Sequence, residues 1–209
     1  MDPVAWGPPF WALLHSAALV NTRKARAELQ STLDAMERVL PCKYCRESLR
    51  ALRPVLAKIE FAGNFEEMWA LHNAVSAKLQ VQGGSGAPIT LERARRRWES
   101  ATEPVSELQL VNALIITAGN YARCPAPEKR RWYAQMWRGV AALCARVPTL
   151  RSLGTYLTAG GEGNGCALLE RANARRSEIL RSRGLGELCV DGGGARRRIA
   201  GKARGGKAR

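Results

Sequence analysis

The chain has little from which a sheet could be built. Alternating apolar–polar strand patterns are nearly absent along its 209 residues, which excludes a β or α/β architecture on pattern. No apolar run reaches the roughly 18 residues that would suggest a membrane-spanning helix. Histidine is confined to His15 and His72, and a second C-x-x-C is missing, so no matched ligand set for a structural zinc can be drawn. Six cysteines in a chain of this length are too few for a disulfide-stapled miniature domain. Carboxylates are scarce as well: 18 Asp and Glu against 33 Lys and Arg leave a net charge of +15. A secretory signal is not evident, because Met1-Asp2-Pro3-Val4-Ala5 offers neither a basic start nor an apolar stretch of the required length. The expectation is a chain that is not secreted.

What is present is helical periodicity. Apolar residues make up 46% of the chain, enough for a packed core and too many for wholesale disorder. Helices are expected over about 9–20, 23–40, 42–56, 65–80 and 90–98, with Pro54 bending the third. Gly63-Asn64 reads as a stop and an N-cap, Gly83-Gly84-Ser85-Gly86 as a break, and Thr90 as a cap. A second helical region opens near Glu103-Pro104, with helices over about 105–123, 127–147, 150–157 and 166–183. The fold class is therefore all-α, in three parts: a helical domain over 1–102, a second small helical bundle over 103–189, and a disordered tail over 190–209. That tail holds seven Lys/Arg, one Asp and six Gly, with too few apolar side chains to bury a core.

Chemistry concentrates in four short stretches. Cys42-Lys43-Tyr44-Cys45 follows Pro41 and opens a helix, where unpaired amide hydrogens and the helix dipole stabilise a thiolate. Lys43 and Arg46 add positive potential, and a disulfide across two intervening residues opens and closes readily. In Trp6-Gly7-Pro8-Pro9-Phe10-Trp11-Ala12-Leu13-Leu14-His15, Trp11 and His15 share a helix face, an arrangement suited to stacking on a flat ring and bonding its edge. The third stretch, from Phe65 through Trp69, His72 and Asn73 to Leu79, places Trp69, His72, Ser76 and Leu79 on one stripe. The fourth, Leu91-Glu92-Arg93-Ala94-Arg95-Arg96-Arg97-Trp98, offers cations for a pyrophosphate and an indole for a ring. Taken singly, each has a plain alternative: a structural disulfide, core tryptophans, satisfied core histidines, a solvated basic face.

In order and together, G-P-x-x-W-x-x-L-H, P-C-x-x-C, W-x-x-H-N-x-V-x-x-x-L and a basic helix ending in Trp resemble the Erv/ALR sulfhydryl oxidase family over residues 6–98. The resemblance implies a bundle of four helices plus a short fifth that clasps FAD. By position, Cys42 and Cys45 would be the catalytic pair, with Cys42 exchanging with substrate and Cys45 beside the flavin. Trp11 and His15 would line the flavin. His72 and Asn73 would hold the adenine end, with Val75, Ser76, Lys78 and Leu79 beside it, and Trp98 would close over the cofactor. No metal is implied. The pattern departs from the family in three places. Ser76 stands where Asn is common, and its hydroxyl can still make one bond. Trp69 and Gly86 stand where many members carry a cysteine pair. A shuttle C-x-x-C or C-x-x-x-C outside 42–45 is missing.

The implied reaction is thiol oxidation. Dithiols of protein substrates reduce the Cys42–Cys45 disulfide, the flavin takes the electrons, and molecular oxygen becomes hydrogen peroxide. Homodimerisation is expected on the same resemblance. The added helical half, together with the missing signal, resembles the oxidases of large DNA viruses. That implies the cytoplasm or nucleus of an infected cell, with virion association as a further expectation. Cys124, Cys144, Cys166 and Cys189 lie outside the resemblance; an antiparallel bundle would pair Cys144 with Cys166 and Cys124 with Cys189, and buried reduced thiols are the alternative. The basic tail could contact nucleic acid weakly. The competing reading of the whole chain is a basic nucleic-acid-binding protein in which the C-x-x-C is incidental.

Overall fold

A computed structural model describes residues 3–56, 64–81, 87–99, 105–120, 126–159 and 165–185. Among these residues there are nine α-helices and no strand. They are α1 (Gly7–Ala18), α2 (Arg23–Val39), α3 (Lys43–Leu56), α4 (Asn64–Val81), α5 (Leu91–Glu99), α6 (Glu107–Gly119), α7 (Pro127–Arg146), α8 (Arg151–Ala159) and α9 (Gly165–Ser182). The all-α expectation holds. The tail, the Gly83–Gly86 break, Gly63, the 102/103 boundary, Cys124, Cys189 and the side chains of Pro54 and Cys166 lie outside what is described.

Local chemistry sets the helix ends. Thr22 caps α2 by accepting from the Ala25 amide at 3.1 Å, and Thr90 caps α5 by accepting from the Arg93 amide at 3.2 Å. Pro8 and Pro127 occupy first-turn positions, where a missing amide hydrogen costs nothing. Asn64 does something other than the expected capping. It is the first residue of α4, is buried, and donates from Nδ2 to the Val20 carbonyl at 3.1 Å, which ties α4 to the end of α1. α3 begins one residue later than expected. Cys42 is therefore its cap, not its first residue: the Arg46 amide donates to the Cys42 carbonyl at 3.1 Å.

The two halves of the sequence share one hydrophobic core. α1 lies at its centre, with Leu13, Leu14, His15, Ala17 and Ala18 all buried, and it packs against helices from both halves. The broadest junction is between α2 and α7. Gly139 makes that approach possible, since a Cβ there would stand 2.2 Å from Thr32 Oγ1. Polar groups along the same seam are paired across it. The Tyr133 hydroxyl donates to the Val39 carbonyl at 3.1 Å, Gln135 donates to the Ser31 carbonyl at 3.0 Å, and Arg146 meets Glu28 at 2.5 Å. α9 lies against α6, where Arg175 bonds Glu107 at 2.8 Å and Arg176 bonds Asn112 at 3.0 Å.

Candidate functional site: a helix-capping disulfide and a histidine–tryptophan cluster

Cys42 and Cys45 form a disulfide at the start of α3. Both are half-buried and pack on the core from its edge. The Cys45 amide donates to Cys42 Sγ at 3.1 Å, so the cap's sulfur occupies the place a serine oxygen takes at other helix starts. When the bond opens, that amide and the helix dipole favour negative charge on this sulfur. Arg46, one residue on, donates to the Leu40 carbonyl and is held beside the pair.

The other sequence-predicted rings come together elsewhere on the same framework. Trp11 stacks on His72 with centroids 4.2 Å apart and planes 6° from parallel. His15 stacks on Trp98 at 3.8 Å and 16°. His15 Nε2 and His72 Nδ1 share a hydrogen bond of 2.9 Å that joins the two stacks. Four residues from α1, α4 and α5 thus form one cluster. Phe65 completes it, 5.6 Å from His15 and 6.4 Å from Trp98. Phe65 opens the third stretch, and no role is expected of it there. Its spacing of seven from His72 on one helix face was the available signal.

Asn73 and Trp69 hold Trp98 in place indirectly. Asn73 Nδ2 donates to the Ile89 carbonyl at 2.6 Å, the Ile89 amide donates to Asn73 Oδ1 at 3.1 Å, and the Trp69 indole donates to the same carbonyl at 2.8 Å. The segment entering α5 is thereby fastened to α4, and two helical turns then deliver Trp98 to His15. Both polar atoms of the Asn73 amide are spent on backbone.

The remaining predicted residues lie further along α4. Val75 and Ser76 are half-buried. Lys78 donates to Ser48 Oγ at 2.7 Å, which places it one turn of α3 beyond Cys45, and Leu79 is 42% exposed. Lys78 is six residues from His72, about 9 Å along the helix axis, so α4 carries one member of the ring cluster and also packs against the helix that bears the disulfide.

Both histidines are held neutral. Burial, His72 and Arg97 push the His15 imidazole well below its ordinary range, and burial with Arg97 lowers His72 to about 4. One ring of the neutral pair donates and the other accepts. In either arrangement His15 Nδ1 is buried without a hydrogen-bond partner. The folded state therefore binds fewer protons than the unfolded chain between these values and 6.5. The stabilisation is present above pH 6.5 and is lost as pH falls from there toward 4. For His72 alone we expect about 2 kcal/mol of unfolding free energy to be lost between pH 7 and pH 4.5. Urea melts at the two values measure this, and His72→Gln should flatten that part of the slope. An unchanged slope in the variant refutes it.

Among the described residues no group of three or more His, Cys, Asp or Glu stands close enough to hold a metal ion, and no helix is long and apolar enough to cross a membrane. Cys144 is a free and fully buried thiol, so the expected Cys144–Cys166 pairing is not found. Burial, with Glu107 nearby, raises it to about 12. α7 faces Cys144 inward among Val140, Ala141 and Leu143, where it packs as a small hydrophobe. Compared with protein-family models, curated proteins and solved structures, the chain gives no match in any of the three.

Proposed function

We propose that the chain is a flavin-dependent thiol oxidase that makes disulfides in dithiol protein substrates at the expense of molecular oxygen. The observation that carries this is the convergence of Trp11, His15, His72 and Trp98, up to 87 positions apart in sequence, into one ring cluster on α1, α4 and α5, with α4 packed against α3, the helix that carries the Cys42–Cys45 disulfide. A core histidine needs its nitrogens satisfied. His15 Nδ1 is not, and the surrounding groups are flat rings and the Arg97 cation, which lies 5.2 Å over Trp98. That donor set suits a flat heteroaromatic group with a polar edge and an anionic linker. FAD is such a group, and when bound it supplies the two-electron chemistry between thiols and oxygen.

The chain's own residues would act as follows. A substrate thiolate attacks Cys42 Sγ, the Cys42–Cys45 bond breaks, and Cys45 departs as thiolate. The second substrate thiolate then attacks the first substrate sulfur. Cys42 leaves as a thiolate held by the Cys45 amide, and the substrate is released with its own disulfide. Two electrons have moved from the substrate sulfurs to the cysteine pair, and the two thiol protons have gone to solvent. Trp11, His15, His72 and Trp98 would hold the cofactor, with His15 Nδ1 presented to its edge. Asn73 would act at one remove, through Ile89 and α5.

The test is an absorbance spectrum of the purified protein followed by an oxygen-electrode trace. Flavin bands near 450 nm and oxygen uptake on adding dithiothreitol are the expected result. A colourless protein that takes up no FAD overturns the proposal. The charge of +15 favours the second reading, a polyanion binder, which predicts no flavin bands and retention on DNA that falls steeply with salt.

A further inference from the structure

Five large apolar side chains stand exposed among the described residues, and three of them, Tyr44, Leu79 and Val81, belong to one end of the molecule. A chain of hydrogen bonds brings them there. Lys78 Nζ donates to Ser48 Oγ at 2.7 Å, and Ser48 Oγ donates to the Tyr44 carbonyl at 2.7 Å. The last turn of α4 is thereby seated against Ser48 in the second turn of α3, one turn beyond the disulfide's Cys45. Tyr44 lies between the two cysteines in sequence and is 77% exposed; Val81, the last residue of α4, is 90% exposed.

Scattered exposed apolar residues need no explanation, whereas a phenol and two aliphatic side chains around a half-buried disulfide form a surface with a use. Tyr is also a favoured contact residue, since it presents a large rigid face at little entropic cost. The charge here is predominantly positive. On the two turns concerned, residues 42–48 and 78–81, the cations are Lys43, Arg46 and Lys78, and the one carboxylate is Glu47. Lys43 is itself exposed and meets Glu47 at 3.8 Å, a contact of little energetic weight.

We propose that this end of the molecule is the docking surface for the protein substrate, and that it selects a cysteine-bearing segment with apolar and acidic side chains beside the reacting thiols. The inference rests on the thiol-oxidase reading. Tyr44 and Val81 take the apolar side chains, and Lys43 and Lys78 meet the carboxylates. The reacting thiolate is thereby brought to Cys42 Sγ, where it displaces Cys45 as described above.

The test uses single-turnover exchange under nitrogen between the oxidised full-length protein and synthetic dithiol peptides. Their flanks are acidic and apolar, neutral, or basic. Exchange needs only the cysteine pair, so the result is independent of flavin. The acidic–apolar peptide is expected to react about 10-fold faster than the basic one at low salt, with the ratio shrinking at about 0.5 M salt. Tyr44→Ala and Val81→Ser should each slow that peptide roughly 3- to 10-fold, by removing contact area at the centre of the patch, and leave exchange with dithiothreitol unchanged. Lys43→Gln should shrink the acidic-over-basic ratio. Rates equal within twofold for all three peptides overturn the docking surface, as does a Tyr44→Ala protein that slows with dithiothreitol as much as with peptide. A colourless protein that still prefers the acidic peptide retains the surface and overturns the oxidase reading.

Discussion

On the proposed thiol-oxidase reading, Cys45→Ser should lower dithiothreitol-driven oxygen uptake by at least ~10³-fold, while Cys144→Ala leaves it unchanged within a factor of two. The contrast follows from placement. Cys45 is in the first turn of α3, bonded to Cys42 and half-exposed at the rim of the core. Without it no disulfide forms at this position, and a substrate thiol finds no sulfur–sulfur bond to break. Cys144 is fully buried and its thiol is raised to about 12, so at neutral pH it is neither accessible nor ionised. Alkylation of the reduced protein at neutral pH, mapped by mass spectrometry, should accordingly label Cys42 and spare Cys144 until the protein is unfolded. An oxygen-electrode trace in which Cys45→Ser keeps a tenth or more of the wild-type rate removes the cysteine pair from the mechanism.

Gly154→Ala is expected to destabilise the fold by about 2–3 kcal/mol, although helix propensity alone favours Ala by up to about 1 kcal/mol. Two effects oppose each other, and distance decides between them. A Cβ at Gly154 would lie 2.8 Å from the Ala145 amide nitrogen and 2.9 Å from the Ala141 carbonyl oxygen, both of them backbone atoms of α7. Backbone cannot swing aside as a side-chain tip can, so α8 must move off α7. Leu150, Leu153 and Leu157, which α8 and the turn before it bury at that crossing, then lose contact. Val at the same position should cost more, about 4 kcal/mol. Urea unfolding measures both. A Gly154→Ala protein as stable as wild type, or more stable, shows that the crossing has slack.

Most of the helices were legible in the sequence, because strong 3.6-residue periodicity punctuated by Pro41, Gly83–Gly86, Thr90 and Pro127 leaves few choices. The ring cluster was legible in membership but not in arrangement. Trp11 and His15 do share a face of one helix, with centroids 6.2 Å apart; that His15 would also stack on Trp98, 83 positions away, depends on how α5 is aimed. That aim is set by Asn73 bonding a backbone segment, and side-chain-to-backbone bonds across a fold leave no periodic trace in sequence. The continuity of the core across the midpoint was hidden for a similar reason. Gly139 lies inside a helical run, and its closeness to Thr32 leaves no mark on the periodicity.

The shared core bears on how such a chain could be divided. α2 turns Leu29, Thr32, Leu33 and Met36 inward, and α7 covers them with Tyr133, Met136, Trp137 and Val140. A fragment ending after α5 would bare that stripe to water and strand the Val39 carbonyl that Tyr133 satisfies. The later helices are therefore no detachable appendage. They form the far wall of the same building, and the Cys42–Cys45 disulfide stands on ground that both halves hold up.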